Sequence, residues 1–272
     1  MPSKISTSLA ARRSQGHMAF MPFITAGDPD LATTKVVIEL LAESGADMIE
    51  LGFPYSDPIA DGPVIQASYQ RALDRKVKVG EILSMVKSLD HTKMPPIVGM
   101  VSYAIIFRYG AERFLSECKE SGLAGLIVPD LPSEEAEDFA GLTAKHGLDL
   151  VQLLAPTTSW ERTQQIVKHS TGFVYCIAIA GTTGERRDIA GELIEQLKKV
   201  KTITNTPLCV GFGISQPKHI DPLRKIADGV IVGSAIVRQF EKFGATDAER
   251  TKALAGLKEY AQSMATAAHR AG

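Results

Sequence analysis

Residues 47–63 read DMIELGFPYSDPIADGP, an apolar run of strand length that passes into a loop carrying Asp57 and Asp61 among three prolines. Alternation along the run places Met48, Glu50 and Gly52 on one face and Ile49, Leu51 and Phe53 on the other. A carboxylate thus stands inside an apolar strand, with two more on the stiff loop that follows.

The same punctuation recurs along the chain. AFMPFI, PIVGMVSY, GLIVPD, DLVQLLA, FVYCIAI, PLCVGFG and GVIVGS join DMIELGF to make eight short apolar runs bounded by Gly, Pro, Asp or Ser. They return at roughly thirty-residue intervals, the length of a βα unit. Between them lie helix-compatible stretches: SEEAEDFAGLTAKHG, with Ser133 as N-cap and Gly147 as stop, then TSWERTQQIVKHS and DIAGELIEQLKKVK. Parallel strands need crossover helices, so this alternation predicts a single α/β domain over residues 1–272, a closed (β/α)8 barrel of the TIM type. An open doubly wound sheet is disfavoured because the first strand is followed by TAGDPD and not by GxGxxG. An extra N-terminal helix is expected around Leu9, preferred over a transit peptide because the strand-like MAFMPFITAG follows so soon. The segment TDAERTKALAGLKEYAQSMATAA predicts a C-terminal helix.

Composition narrows the function classes. With 272 residues, 44% hydrophobic and 22% charged, the chain has material for a substantial core. A net charge of -1 offers no global attraction to nucleic acid or anionic lipid, which leaves small-molecule chemistry as the default. Cys118, Cys176 and Cys209 form no CxxC pair, so neither a disulfide framework nor a metal site is signalled, and a cytoplasmic setting is expected. No apolar stretch is long enough to cross a bilayer.

Barrel enzymes carry their chemistry where strands end and βα loops begin. Glu50 is the foremost residue there. Pointing inward without a cation at any strand end, it is expected to have a raised pKa suited to giving and taking a proton. Asp57 and Asp61 stand in turn pairs of what could be only a rigid loop, and Asp61 reads equally as a turn residue or as a catalytic group. Ser102 and Tyr103 end strand three. Asp130 reads as a turn-ordering residue, and Tyr175 as core packing or a ligand contact. All six histidines fall in helices or at their ends, so acid/base work falls to carboxylates. Glycines in AGTTGE, VGFGIS and IVGSAIV, after strands six, seven and eight, are where barrels build a phosphate site from backbone N–H groups.

At this point ELGFPYSDPIADGPVIQ resembles the signature of the tryptophan synthase alpha subunit family. MPFITAGDPD, GLIVPDLPSEEA, LAPTT, AGTTGER, GFGIS and ADGVIVGSAIV resemble that family's segments in the same order. The resemblance implies a lyase that cleaves indole-3-glycerol phosphate to indole and glyceraldehyde 3-phosphate by a retro-aldol step. It implies Glu50 and Asp61 as the catalytic pair, Glu50 shuttling the proton and Asp61 holding the indole N–H. It also implies Phe23 and Tyr175 in the substrate pocket, Thr183 on a closing loop, and phosphate on Gly184, Gly213, Gly233 and Ser234. The implied partner is a beta subunit in an alpha-beta-beta-alpha heterotetramer, which Asp57 and Pro54 would face. Pyridoxal phosphate would belong to that subunit, with no metal or cofactor in this chain. One segment departs: SYAIIFRYG has Ala104 where many members carry Asn. A stand-alone lyase releasing free indole is the alternative. A noncatalytic phosphate-binding activator is disfavoured by the presence of both Glu50 and Asp61.

Overall fold

The computed structural model describes residues 2–58, 61–132, 135–178, 186–211, 213–243 and 246–271, with backbone alone over 186–190. Eight strands follow one another in parallel: β1 (Ala19–Thr25), β2 (Ile49–Gly52), β3 (Ile97–Met100), β4 (Gly125–Ile127), β5 (Asp149–Leu154), β6 (Val174–Ile177), β7 (Leu208–Gly211) and β8 (Gly229–Val232). β8 pairs back onto β1, with Ala19 opposite Gly229, and the sheet closes into a barrel.

Helices connect the strands and flank them at both ends of the series. They include α1 (Lys4–Ser14) and α2 (Leu31–Glu43), then α3 (Pro63–Asp74) and α4 (Val79–Lys87), then α5 (Tyr103–Tyr109) and α6 (Ala111–Ser121). The second half contributes α7 (Ala136–Lys145), α8 (Trp160–His169), α9 (Arg186–Lys201), α10 (Ser234–Phe240) and α11 (Asp247–Ala268). Their limits follow local chemistry. The Thr33 N–H donates to Asp30 at 2.7 Å to start α2, and Gly62 followed by Pro63 opens α3. Gly122, at φ 92°, stops α6.

The expected alternation holds. Ile49, Leu51 and Phe53 pack outward in the layer between sheet and helices, whereas Met48 belongs to the inner cluster with Phe23, Met100 and Tyr175. One boundary differs from the sequence reading. β3 stops at Met100, and Ser102 caps α5 by accepting the Ala104 N–H at 3.2 Å. Asp130 completes this corner, accepting from the Ser102 hydroxyl at 2.6 Å and from the Tyr103 N–H at 2.7 Å. Asp130 is a turn-ordering residue as expected, but the start it orders is that of α5. These side-chain acceptors satisfy N–H groups at the helix start and favour helix over further strand. The expected N-cap Ser133 lies outside the described residues, and α7 begins after Glu135.

The bottom of the barrel is closed by α1. Ile5 and Leu9 are buried in the inner cluster, and Gly125 and Gly172 leave the room that Ile5 occupies. Asp47, buried just ahead of β2, accepts the Phe20 N–H at 2.8 Å and pairs with Arg12 of α1 and with His269 past α11, the latter at 2.7 Å. Asp228 does the same before β8, accepting the Leu208 N–H at 2.9 Å beside Arg13 and Lys201.

Candidate active site

Glu50 stands in register opposite Phe23 on β1 and Val98 on β3, facing into the barrel near its C-terminal mouth. It is 3% exposed, and neither carboxyl oxygen has a hydrogen-bond partner among the described residues. Burial pushes its pKa up to about 8, helped by the neighbouring Asp61 carboxylate. Among the described residues no cation relieves it.

Asp61 arrives from the loop after β2. Its own N–H donates to the Pro58 carbonyl at 3.0 Å. The Gln66 side-chain amide, one turn into α3, donates to the Asp61 carbonyl at 2.8 Å and to that of Pro58 at 3.3 Å. The loop is thus held by α3. Asp61 is 9% exposed, with Oδ2 unpartnered among the described residues, and burial raises its pKa to about 6. Asp61 therefore ionises first, and Glu50 must ionise beside a charge already present. At neutral pH this leaves Glu50 as a carboxylic acid and Asp61 as a carboxylate, two different tools made from one kind of group.

Both carboxyls line a cavity of about 280 Å³ at the mouth. Phe23, Ile65, Met100 and Tyr175 form its apolar wall. Burial, with Glu50 and Asp61 close by, holds the Tyr175 hydroxyl well above its usual range, so it is a neutral hydroxyl in this site. The far end is lined by Gly213, Ile214, Ser215, Gly233 and Ser234. Gly213 has φ 77°, a left-handed conformation that favours glycine, so its backbone can face the cavity without a side chain. Arg238 also lines this end and is the only cation among the described lining residues.

The sequence-derived residues Phe23, Glu50, Asp61, Tyr175, Gly213, Gly233 and Ser234 thus converge on one cavity. Thr183 and Gly184 lie outside the described residues. Arg238 was missed, although its position four residues after Ser234 puts it on the same side of α10. Ile65 and Met100 carried no signal beyond apolar character. Among the described residues no group of three or more His, Cys, Asp or Glu side chains could hold a metal ion.

Pro54 and Asp57 stand outside that cavity. Pro54 is buried, whereas Asp57 is exposed and lines a second, wider depression of about 930 Å³ with Ala104, Arg108 and Asp130. Phe107, on the neighbouring α5, is 78% exposed, far more than the other exposed large hydrophobic side chains.

Comparison with known proteins agrees with this geometry. Residues 9–269 match the family model described as tryptophan synthase alpha chain. The tryptophan synthase alpha chain of Thermoanaerobacter sp. (strain X514) is 45% identical over 240 residues, covering 88% of this chain and 91% of the relative. That of Synechocystis sp. is 42% identical over 264 residues, covering 97% and 98%. Among solved structures, tryptophan synthase subunit alpha from Legionella pneumophila superimposes with a TM-score of 0.87 at 34% identity, covering 98% of each chain. The aminoacrylate-bound form of tryptophan synthase from M. tuberculosis gives a TM-score of 0.85 at 30% identity, over 98% of this chain and 99% of that one. A closed eight-stranded barrel, a carboxyl pair at its mouth and a match spanning nearly the whole sequence lead to one conclusion: the chain belongs to the tryptophan synthase alpha chain family.

Proposed function

We propose that Glu50 and Asp61 carry out the carbon–carbon lyase reaction of this family, cleavage of indole-3-glycerol phosphate to indole and glyceraldehyde 3-phosphate. The observation that supports it is the pair of buried, unpartnered carboxyls whose pKa values are pushed apart to about 8 and about 6. The protonated Glu50 gives its proton to C3 of the indole ring. Positive charge then develops at N1, and the Asp61 carboxylate accepts the N1–H hydrogen bond that stabilises it. The bond between C3 and the side-chain carbon breaks, its electron pair restores the ring, and the side-chain hydroxyl becomes the aldehyde. Glu50, now a carboxylate, takes the hydroxyl proton and is regenerated.

Phe23 and Tyr175 bound the indole and glycerol portions. Backbone N–H groups around Gly213, Gly233 and Ser234 bind the phosphate with Gly184, and the Arg238 guanidinium adds charge to that end. Thr183 closes toward Asp61 to exclude water. The exposed Asp57 and Phe107, with the depression that they flank, support a docking face for a beta subunit. The reading assigns an alpha-beta-beta-alpha assembly in which pyridoxal phosphate belongs to the beta subunit, while this chain works without a cofactor. Three buried free thiols suit a reducing cytoplasm, and no helix among the described residues is long and apolar enough to cross a membrane.

The test is indole release from indole-3-glycerol phosphate by the purified chain, with and without a beta subunit. Slow release alone and strong stimulation by beta are expected, with losses of roughly 10²–10⁴-fold in Glu50→Gln and Asp61→Asn. Activity surviving in Glu50→Gln overturns the mechanism. Fast release that beta leaves unchanged favours the stand-alone lyase, a reading to which Ala104 in the docking depression would belong.

A further inference from the structure

Four residues of α3 are buried: Ile65, Ser68, Tyr69 and Ala72. Ile65 lines the cavity, and the Ser68 hydroxyl shares a hydrogen bond of 2.6 Å with Thr25 of β1. Tyr69 is 1% exposed, yet its hydroxyl has no hydrogen-bond partner among the described residues. An unpaired phenol O–H in an apolar setting is unfavourable, and phenylalanine would fill the same space without that cost. The hydroxyl therefore calls for an acceptor that the working site supplies.

Its surroundings restrict which acceptor that is. A Cβ placed on Gly52 would lie 2.8 Å from the Tyr69 hydroxyl, so the oxygen stands over the inner face of β2, two residues beyond Glu50. The ring is 6.5 Å from that of Phe23 and 5.5 Å from that of Tyr55. The ionisable groups that bear on it are Asp61 foremost, then Tyr55 and Glu50, and Tyr175 senses it in turn. Tyr55 is a phenol held neutral by burial beside Asp61 and Asp130. Glu50 is protonated at neutral pH and has its proton to deliver. Asp61 remains: its Oδ2 is buried and unpartnered like the Tyr69 hydroxyl, the two are not hydrogen-bonded in this structure, and a carboxylate is the stronger acceptor.

We propose that Tyr69 is a positioning residue of the cleavage reaction: its O–H donates to the Asp61 carboxylate and aims the carboxylate at the indole N–H. This rests on the role given to Asp61 above. The device suits the architecture, because Asp61 stands on a loop while Tyr69 stands on a fastened helix. Besides the Ser68 bond, Arg71 of α3 makes two hydrogen bonds to Asp28, at 2.8 and 2.7 Å. Gln66 already holds the Asp61 backbone from α3, and Tyr69, on the same helix, sets the direction of its side chain. The hydroxyl also favours the charged form of Asp61, opposing the effect of burial.

Tyr69→Phe keeps the ring and removes only the donor. Expected in the indole-release assay, with and without a beta subunit, is a fall in kcat of about tenfold with KM changed less than about twofold. The acid limb of the kcat/KM profile should move to higher pH, since a carboxylate without its donor ionises less readily. The melting temperature should not fall, which separates this role from packing. In an Asp61→Asn background the same substitution should cost less than about twofold. A Tyr69→Phe chain with unchanged kcat and unmoved acid limb, beside an inactive Asp61→Asn, overturns this proposal alone. So does a tenfold loss that persists in the Asp61→Asn background. Wild-type activity in Asp61→Asn overturns the reading beneath it, and the proposal with it.

Discussion

Glu50 and Asp61 differ at the residue scale by what surrounds them. Activity should need Asp61 ionised and Glu50 protonated, so kcat/KM should rise near pH 6, fall near pH 8 and form a bell, measured by indole release at constant ionic strength. Stability should report the same burial. The unfolded chain ionises Glu50 near 4.5 and the folded chain only near 8, so the native state holds an extra proton between those values. Stability is therefore lost as pH rises through that window. Glu50→Gln removes the liability, and urea unfolding should find the variant near wild type at pH ~5 but more stable by roughly 2–4 kcal/mol at pH ~8.5. Glu50 was legible in the sequence because alternation fixes its face and no Lys or Arg stands at a strand end. Asp61 was not, since DPIADGP reads equally well as a turn, and only the family resemblance separated the two. Tyr69 was illegible for another reason: its relevance depends on how α3 is rotated against the mouth, which packing decides, whereas Arg238 stands one helical turn after the expected phosphate residue Ser234.

At the scale of elements, the strands were the readable part. Each expected apolar run contains one, because barrel strands are buried on both faces and so read as short continuous apolar runs between turn residues. The start of α5 was harder, since Ser102 becomes a cap through Asp130, a partner 28 residues away. The contact between β6 and β7 carries a consequence for the site. A Cβ on Gly211 would meet the Tyr175 hydroxyl and lie 2.6 Å from its ring carbon Cε1. Gly211→Ala should push that ring into the cavity, costing about 1–3 kcal/mol of stability and raising KM for indole-3-glycerol phosphate. Steady-state kinetics beside thermal unfolding would check both. A variant with unaltered KM would show that the ring has room elsewhere.

For the whole molecule, we propose that the barrel and its two terminal helices act as one domain and unfold in a single transition. Asp47 bears on it from below, holding α1, β1 and the segment after α11. Asp47→Asn leaves the Arg12 guanidinium without its charge partner and should destabilise the chain by roughly 2–4 kcal/mol, measured by urea unfolding. Catalysis at low temperature should be little affected, because conservation of geometry at the opposite face does not depend on this carboxylate. The pairing of β1 with β8 has a meaning for biosynthesis as well. The ribosome makes β1 well before its neighbour β8, so a growing chain carries an unpaired β1 edge until β8 emerges. A chain stalled before Gly229 lacks the strand that pairs with that edge, so barrel closure waits for β8.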